Sequence, residues 1–289
     1  MIRAAFLAGL IALPVGAGAD PHPEARRVLA IGGSVTEIIY ALGQQDRLIG
    51  RDTTSTYPEA AQTLPDVGYI RRLSPEGVLS LGPDLILAEE GAGPPEAVAI
   101  LQASGIAYQT IPAAEDADGL AARITAVAQA LGDEGAAKPH LDSLRADLDR
   151  LGALNAGVAT PRRVLFILSL QGGRVLASGG DTAADAMIRL AGAENAVTGF
   201  AGYKLLTDEA ILAAAPDVIL MMQRGAAAGD DPGGHEPQDA QLWALPALAA
   251  TPAGQAHRVL RMDGLYLLGF GPRTGKAALD LHRAIYGDG

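Results

Sequence analysis

The chain of 289 residues contains no cysteine. This absence excludes disulfide bonds, thiolate metal sites and cysteine nucleophiles, and it leaves the cellular compartment undecided by any redox argument. Aromatic residues make up only 4% of the chain, so a tyrosine that follows a glycine in a loop carries more weight than usual. Histidine is scarce as well, and a zinc site of clustered histidines is not expected, because the five are scattered: His22, His140, His235, His257 and His282.

Positive charge is the second shortage. The chain has 22 basic and 33 acidic residues, for a formal net charge of −11. A surface this acidic repels phosphate backbones, so we expect no nucleic-acid partner. A local basic pocket for an anionic ligand remains compatible with this balance. The 49% hydrophobic content is typical of a globular protein, and the length is enough for two lobes with an apolar core each.

The N-terminus has the layout of a secretory signal peptide. Arg3 supplies the positive start, Ala4–Leu13 is a small or apolar run, and Ala17-Gly18-Ala19 forms an A-x-A pattern before Asp20. The apolar run is too short to span a bilayer. We therefore predict that residues 1–19 are a signal peptide and that the protein is periplasmic. The alternative is a buried N-terminal helix.

Strand and helix patterns alternate along the rest of the chain. Val28–Ile31 reads as a strand and is followed by a helix over about 35–42. Val164–Leu168 begins a similar strand–helix series in the second half. Such alternation predicts an α/β fold with mainly parallel sheets.

An internal repeat joins the two halves. The stretch Leu73–Leu87 aligns without a gap to Leu206–Leu220, with seven of fifteen positions identical. Each copy has a Ser or Thr cap, a glutamate in the first helical turn and a Pro-Asp before the next strand. Each is also preceded by Gly-Tyr, at Gly68-Tyr69 and Gly202-Tyr203. A duplicated lobe accounts for these matches better than generic βα grammar does.

Between the repeats, leucines at helical spacing predict one long amphipathic helix from Glu134, ending before Asn155. We therefore expect two pseudo-symmetric Rossmann-like lobes: an N-terminal lobe over 20–133 and a C-terminal lobe over 158–289, joined by a helix over 134–157. A helical connector limits opening and closing, and a ligand would lie in the cleft at the carboxyl ends of the strands.

This organisation resembles the substrate-binding proteins of iron-siderophore, cobalamin and haem importers. Three motifs resemble the haem-binding branch more narrowly: Asp52-Thr53-Thr54-Ser55-x-Tyr57-Pro58, Val67-Gly68-Tyr69-x-Arg71 and Gly202-Tyr203-Lys204. The resemblance covers essentially the whole mature chain. It implies a non-enzymatic protein that binds haem in the periplasm and delivers it to an ABC permease dimer of the inner membrane, with an outer-membrane haem uptake system upstream.

The resemblance also implies that Tyr69 ligates ferric haem iron. Fe(III) prefers an anionic oxygen, and a nearby guanidinium such as that of Arg71 favours the phenolate. On an extended loop, residues 69 and 71 would lie on the same side. The haem propionates call for basic residues near the cleft, with Arg71 and Arg224 the preferred pair. The further pocket candidates are Arg51, Lys204 and Tyr203, the last as a stacking wall. For a second axial ligand, the alternatives are His235 or none.

For the permease, the resemblance implies one docking glutamate per lobe, Glu76 and Glu209. Acids in a first turn are also explained by the helix dipole alone. Two further alternatives remain open: the same fold carrying a ferric siderophore or a corrinoid, and, more remotely, a nucleotide-dependent two-domain enzyme. Ile31-Gly32-Gly33-Ser34 superficially resembles a dinucleotide turn but lacks the full G-x-G-x-x-G spacing.

Overall fold

The computed structural model describes residues 20–223 and 238–287. The predicted signal peptide, Arg224 and His235 lie outside the described residues. The strands are β1 (Val28–Ile31), β2 (Leu48–Arg51), β3 (Leu85–Glu89), β4 (Ala107–Ile111), β5 (Arg163–Gln171), β6 (Arg174–Ser178), β7 (Glu194–Asn195), β8 (Tyr203–Leu205), β9 (Val218–Gln223) and β10 (Val259–Asp263).

The helices alternate with these strands. They are α1 (Gly33–Ala41), α2 (Pro75–Ser80), α3 (Pro95–Gln102), α4 (Ala117–Ala130), α5 (Glu134–Ala156), α6 (Ala183–Leu190), α7 (Asp208–Ala214), α8 (Asp239–Trp243), α9 (Pro246–Ala249), α10 (Pro252–Gln255), α11 (Gly264–Leu268) and α12 (Thr274–Tyr286). None of the helices in the described ranges has both the length and the apolar character needed to cross a bilayer.

The two lobes share one strand order. In the N-terminal lobe the sheet runs β2-β1-β3-β4 and every pairing is parallel. In the C-terminal lobe β7-β5-β9-β10 repeats that order, again in parallel. The repeated helices α2 and α7 each precede the strand that pairs with the first strand of their lobe. The topology therefore confirms the two pseudo-symmetric α/β lobes.

The C-terminal sheet is mixed rather than purely parallel. Strands β6 and β8 extend it in antiparallel pairings that have no counterpart in the N-terminal sheet. The β5–β6 turn is made by Gly172 and Gly173, whose φ angles of 57° and 76° suit glycine and a tight hairpin. The sequence interpretation contained no such hairpin.

The connecting helix forms as predicted but runs further. Helix α5 extends through Ala156 and is capped by Gly157, so the predicted end before Asn155 was two residues too early. Its apolar stripe packs inward, with Leu144 and Leu151 buried. The polar face of α5, opposite this stripe, remains exposed, as the helical spacing of the leucines predicts.

Each lobe has a smaller core of its own, as the chain length allowed, but the two lobes also share a core that was not predicted. The largest cluster of buried apolar side chains is continuous through both sheets, α4, α5, α6 and α12. In β1, Val28 and Ala30 belong to this shared core, whereas Leu29 and Ile31 face a smaller core within the N-terminal lobe. Strand β5 alternates in the same way. Because moving the lobes apart would expose shared apolar surface, their relative position is constrained by packing as well as by α5.

Candidate functional site

A buried carboxylate builds the first loop at the carboxyl edge of the N-terminal sheet. Asp52 is fully buried and accepts hydrogen bonds from the Gly32 amide at 3.0 Å, the Ser55 hydroxyl at 2.8 Å, and the amide and hydroxyl of Thr54 at 3.0 and 2.7 Å. The Gly33 amide donates to the Thr54 hydroxyl. Two amides at the start of α1, those of Gly32 and Gly33, are therefore occupied by the loop itself, which argues against a phosphate group there and against the dinucleotide alternative.

The loop that carries Tyr69 is anchored by a second carboxylate. Asp66 accepts from the Thr53 hydroxyl at 3.1 Å and from the Gly68 amide at 2.8 Å, and it pairs with Arg51 at 2.6 Å. Gly68 has a φ angle of 95°, which a residue with a Cβ rarely adopts. Its carbonyl accepts from the Thr53 amide at 3.0 Å, so the two loops lie side by side.

The Tyr69 side chain projects from this loop and is 40% exposed. The Arg72 amide donates to the Tyr69 carbonyl at 2.7 Å, so residues 69–72 form a turn instead of the expected extended segment. As a result the Arg72 guanidinium lies 5.9 Å from the centre of the Tyr69 ring. Sequence reasoning named Arg71 for this place and missed Arg72, which the turn brings round three residues later.

Tyr203 faces the Tyr69 loop from the C-terminal lobe. It lies on β8 opposite Ser178, and its ring is 39% exposed. Burial of the phenol raises its pKa above the ordinary value of 10.0, and the hydroxyls of Thr182 and Ser178 lower it. Arg71 also lowers the pKa of Tyr203 and Tyr69 raises it, both through space. These effects indicate that Tyr69, Arg71 and Tyr203 lie within electrostatic range of one another across the cleft between the lobes.

Two of the expected pocket cations have other surroundings. Arg51 is only 7% exposed and donates to Asp66 and to the Asp52 carbonyl, so it holds the loops together and is not free for a propionate. Lys204 follows Tyr203 on β8 and points to the other side of the strand, since side chains alternate. Its ammonium lies 5.0 Å from the ring centre of Phe200.

The histidines of the described residues lie away from Tyr69. His22 packs near Gln109, His257 packs at a tilt against Trp243, and Nδ1 of the buried His282 lies 3.0 Å from the Ala191 carbonyl oxygen. His140 is on α5. Within the described ranges no cluster of acidic or histidine side chains suits a bare metal ion.

Both predicted docking glutamates are exposed in the first turns of α2 and α7. The Ser74 hydroxyl caps α2 by accepting from the Gly77 amide, and the Thr207 hydroxyl caps α7 by accepting from the Ala210 amide. The Glu209 backbone amide and the Thr207 hydroxyl lower the pKa of Glu209. Glu76 and Glu209 therefore hold equivalent places at the starts of matching helices.

Hydrogen bonds from Arg123 of the N-terminal lobe join the two lobes. Arg123 of α4 is 2% exposed and donates to the carbonyls of Gly269 and Phe270 at 2.9 and 3.3 Å. It also pairs with Glu89 at 3.1 Å and donates to the Ser34 hydroxyl at 3.0 Å. These contacts tie the loop between α11 and α12 to the N-terminal lobe. The sequence contained no signal for them, since the partners are up to 147 residues apart.

This arrangement of lobes, helix and cleft agrees with the comparisons with known proteins. The family described as periplasmic binding protein matches residues 28–265. The chain belongs to this family. The solved structure of the periplasmic heme-binding protein BhuT in complex with two hemes is similar at a TM-score of 0.81 and 46% identity, covering 90% of this chain and 97% of that one.

Two curated relatives widen the range of ligands. An uncharacterized ABC transporter substrate-binding lipoprotein of Bacillus subtilis, YvrC, is 29% identical over 92% of this chain and 81% of its own length. The vitamin B12-binding protein of Yersinia pestis is 32% identical over 61% of each chain. A family member of this kind is an extracytoplasmic solute-binding protein that works with a membrane permease. The family alone does not decide between haem and a corrinoid.

Proposed function

We propose that this protein captures haem in the periplasm, in the cleft between its lobes, and delivers it to an inner-membrane ABC permease. It is a carrier and not an enzyme. The observation that carries the proposal is the exposed Tyr69 on an anchored loop, with Arg72 against its ring and Arg71 and Tyr203 nearby. The likeness to the haem-binding BhuT at 46% identity supports it.

Tyr69 is suited to the iron of ferric haem. A phenolate is a hard, anionic oxygen ligand, and the porphyrin supplies the four equatorial nitrogens that the protein lacks. The iron's own charge favours loss of the phenol proton, and the guanidinium of Arg72 over the ring adds to this. A single axial tyrosine needs no histidine, in agreement with the placement of the described histidines away from this loop.

Cations of the cleft would hold the propionates. Arg71 lies within electrostatic range of Tyr203 and is exposed, so its guanidinium is available for a forked contact with a carboxylate. Arg224 follows β9 and remains the proposed partner from the C-terminal lobe. Tyr203 would line the wall opposite Tyr69 as a neutral phenol, because its pKa is raised.

The equivalent positions of Glu76 and Glu209 support their role in docking. One exposed carboxylate on each pseudo-symmetric lobe can meet a pair of two-fold-related permease subunits, and such pairs contribute register and steering that weaken with salt. The test is uptake in liposomes that contain the cognate permease. Glu76→Ala/Glu209→Ala should keep hemin binding and lose uptake, more than either single variant. Normal uptake by the double variant would leave both residues as first-turn acids and nothing more.

A corrinoid is the second candidate, favoured by the likeness to the vitamin B12-binding protein. The protein should be titrated in parallel with hemin, cyanocobalamin and a ferric hydroxamate siderophore, and followed by absorbance. We expect a stoichiometric change in the Soret band with hemin and no saturable binding of the other two. Saturable binding of cyanocobalamin with no response to hemin would overturn the haem assignment and leave the carrier role to the corrinoid.

A further inference from the structure

A third exposed tyrosine lies beside the Tyr69 loop. Of the large apolar or aromatic side chains that are exposed in the described residues, three are tyrosines: Tyr57 at 43%, Tyr69 at 40% and Tyr203 at 39%. Tyr57 belongs to the loop built on Asp52, which is joined to the Tyr69 loop through the hydrogen bond from Thr53 to Gly68. The mechanism proposed above gives Tyr57 no role.

The Tyr57 ring is held from one side by the other lobe. The guanidinium carbon of Arg273 lies 3.5 Å from the ring centre, close enough to stack directly on one face. Arg273 is fixed in turn by two hydrogen bonds of 2.8 Å to the buried carboxylate of Glu37, on α1. It also lies 4.9 Å from the ring centre of Tyr266, whose hydroxyl donates to Asp280 at 2.8 Å.

The contacts with Arg273 restrict the motion of the Tyr57 ring, which lies where the two lobes meet. Glu37 and Tyr57 come from the N-terminal lobe and Arg273 and Tyr266 from the C-terminal lobe. Since the guanidinium covers one face of Tyr57, the exposed area of this side chain belongs to the opposite face and the rim. An aromatic ring that is already positioned loses little conformational entropy when a ligand stacks on it.

We propose that Tyr57 contacts the ligand and selects for a flat conjugated macrocycle, with Arg273 and Glu37 as its positioning residues. The proposal rests on the haem function proposed above. A porphyrin is flat and can lie against an aromatic face, whereas a corrinoid is puckered and carries axial and amide groups on both faces. A ferric hydroxamate is globular and presents no conjugated plane. Stacking on Tyr57 therefore separates haem from the other two classes without any contact to iron.

The test compares hemin with iron-free protoporphyrin IX, which can stack but cannot be ligated by Tyr69. Dissociation constants are measured for the wild type, Tyr57→Leu and Tyr57→Phe, with thermal unfolding to confirm that each variant is folded. Tyr57→Leu should weaken both porphyrins by the same factor, about three- to tenfold, and Tyr57→Phe should bind as the wild type does. The phenolate-to-iron absorption of the hemin complex should not change in either variant.

The variant Arg273→Lys tests whether Arg273 positions Tyr57. It keeps a positive charge for Glu37 but loses the flat guanidinium that covers Tyr57, so it should weaken both porphyrins by a smaller factor than Tyr57→Leu. In the double variant with Tyr57→Leu it should add nothing further. If the wild type binds hemin and Tyr57→Leu binds both porphyrins as tightly as the wild type does, this inference is wrong and the haem function stands. If the wild type binds no hemin, the proposed function fails first.

Discussion

The two Gly-Tyr pairs of the repeat show how one duplicated motif acquires two chemical characters. Gly68-Tyr69 lies in a loop at the carboxyl edge of an all-parallel sheet, held from beneath by Asp66. Gly202-Tyr203 instead enters β8, an added antiparallel strand, where Tyr203 pairs with Ser178. Tyr69 is thus exposed on a loop, as the proposed iron ligand must be, whereas burial raises the pKa of Tyr203.

The difference comes from what surrounds each pair and not from the pair itself. The N-terminal copy has no hairpin next to it, so its tyrosine is supported by carboxylates and faced by arginines. The C-terminal copy has the added strands β6 and β8, and the hydroxyls of Ser178 at the end of β6 and of Thr182 at the start of α6 act on the second tyrosine. Duplication supplies two equivalent positions, and the local framework then gives the two tyrosines different surroundings.

The largest expected effect contrasts the two tyrosines directly. Tyr69→Phe should weaken hemin binding on the order of a hundredfold, because the ring stays and the only axial oxygen is removed. Tyr203→Phe should change the affinity by less than about threefold, since a neutral wall keeps its ring. Both are measured by absorbance titration, with Tyr40→Phe on the outer part of α1 as the control. Equal losses for Tyr69→Phe and Tyr203→Phe would break the comparison.

The next effect is on stability. Asp66→Ala removes the carboxylate that pairs with the buried Arg51 and anchors Gly68, and it should cost about 2 kcal/mol in the free energy of unfolding. It should also weaken hemin binding several-fold, because the Tyr69 loop loses its support. Urea unfolding monitored by circular dichroism measures the cost. Asp46→Ala, an exchange in a 3₁₀ turn remote from the loop, is the control. Unchanged stability would mean that Asp66 does not hold the loop.

Several elements of the fold could be predicted from local sequence signals alone. Local signals predicted the strand Val28–Ile31 to the residue, and the repeat predicted a shared topology, because strand periodicity and helix caps are encoded within a few neighbouring residues. The cap of α2 at Ser74 is of this kind. The connecting helix was predicted from its leucine spacing, and only its end differed.

Long-range contacts could not be predicted in this way. The burial of Arg51 depends on its ion pair with Asp66. The ion pair of Arg273 with Glu37 joins residues that are 236 positions apart. None of these pairings leaves a periodic trace in the sequence. The shared core of the two lobes was missed for the same reason.

A smaller effect on hemin binding is expected from Arg71. Arg71→Ala should weaken hemin about tenfold, through loss of a charge-assisted contact to a propionate, and should leave hemin dimethyl ester unaffected. Arg145→Ala, an exposed exchange on α5, is the matched control. Should the ester and hemin be weakened alike, Arg71 would act on the fold of the loop and not on the propionates.

The smallest effect is on the pH dependence of stability. The pKa of Tyr203 is raised above 10.0 in the folded protein, so its contribution is complete below pH 10 and is lost as the pH rises through the folded pKa. Tyr203→Phe should therefore lose less stability than the wild type above pH 10. Solvent screening of the exposed ring keeps the difference below about 1 kcal/mol.

The measurement is the difference between the two unfolding curves, since burial also raises the pKa values of Tyr40 and Tyr108. Parallel alkaline losses in wild type and Tyr203→Phe would show that the phenol of Tyr203 is no less acidic when folded.

Resonance Raman spectroscopy of the ferric hemin complexes tests the central claim most directly. Among the tyrosines of the protein, excitation in the phenolate-to-iron charge-transfer band enhances the vibrations only of the one that ligates iron. The account predicts phenolate vibrations in the wild type and in Tyr203→Phe, and their loss in Tyr69→Phe. Phenolate vibrations that persist in Tyr69→Phe and vanish in Tyr203→Phe would place the iron on the other lobe and contradict the account.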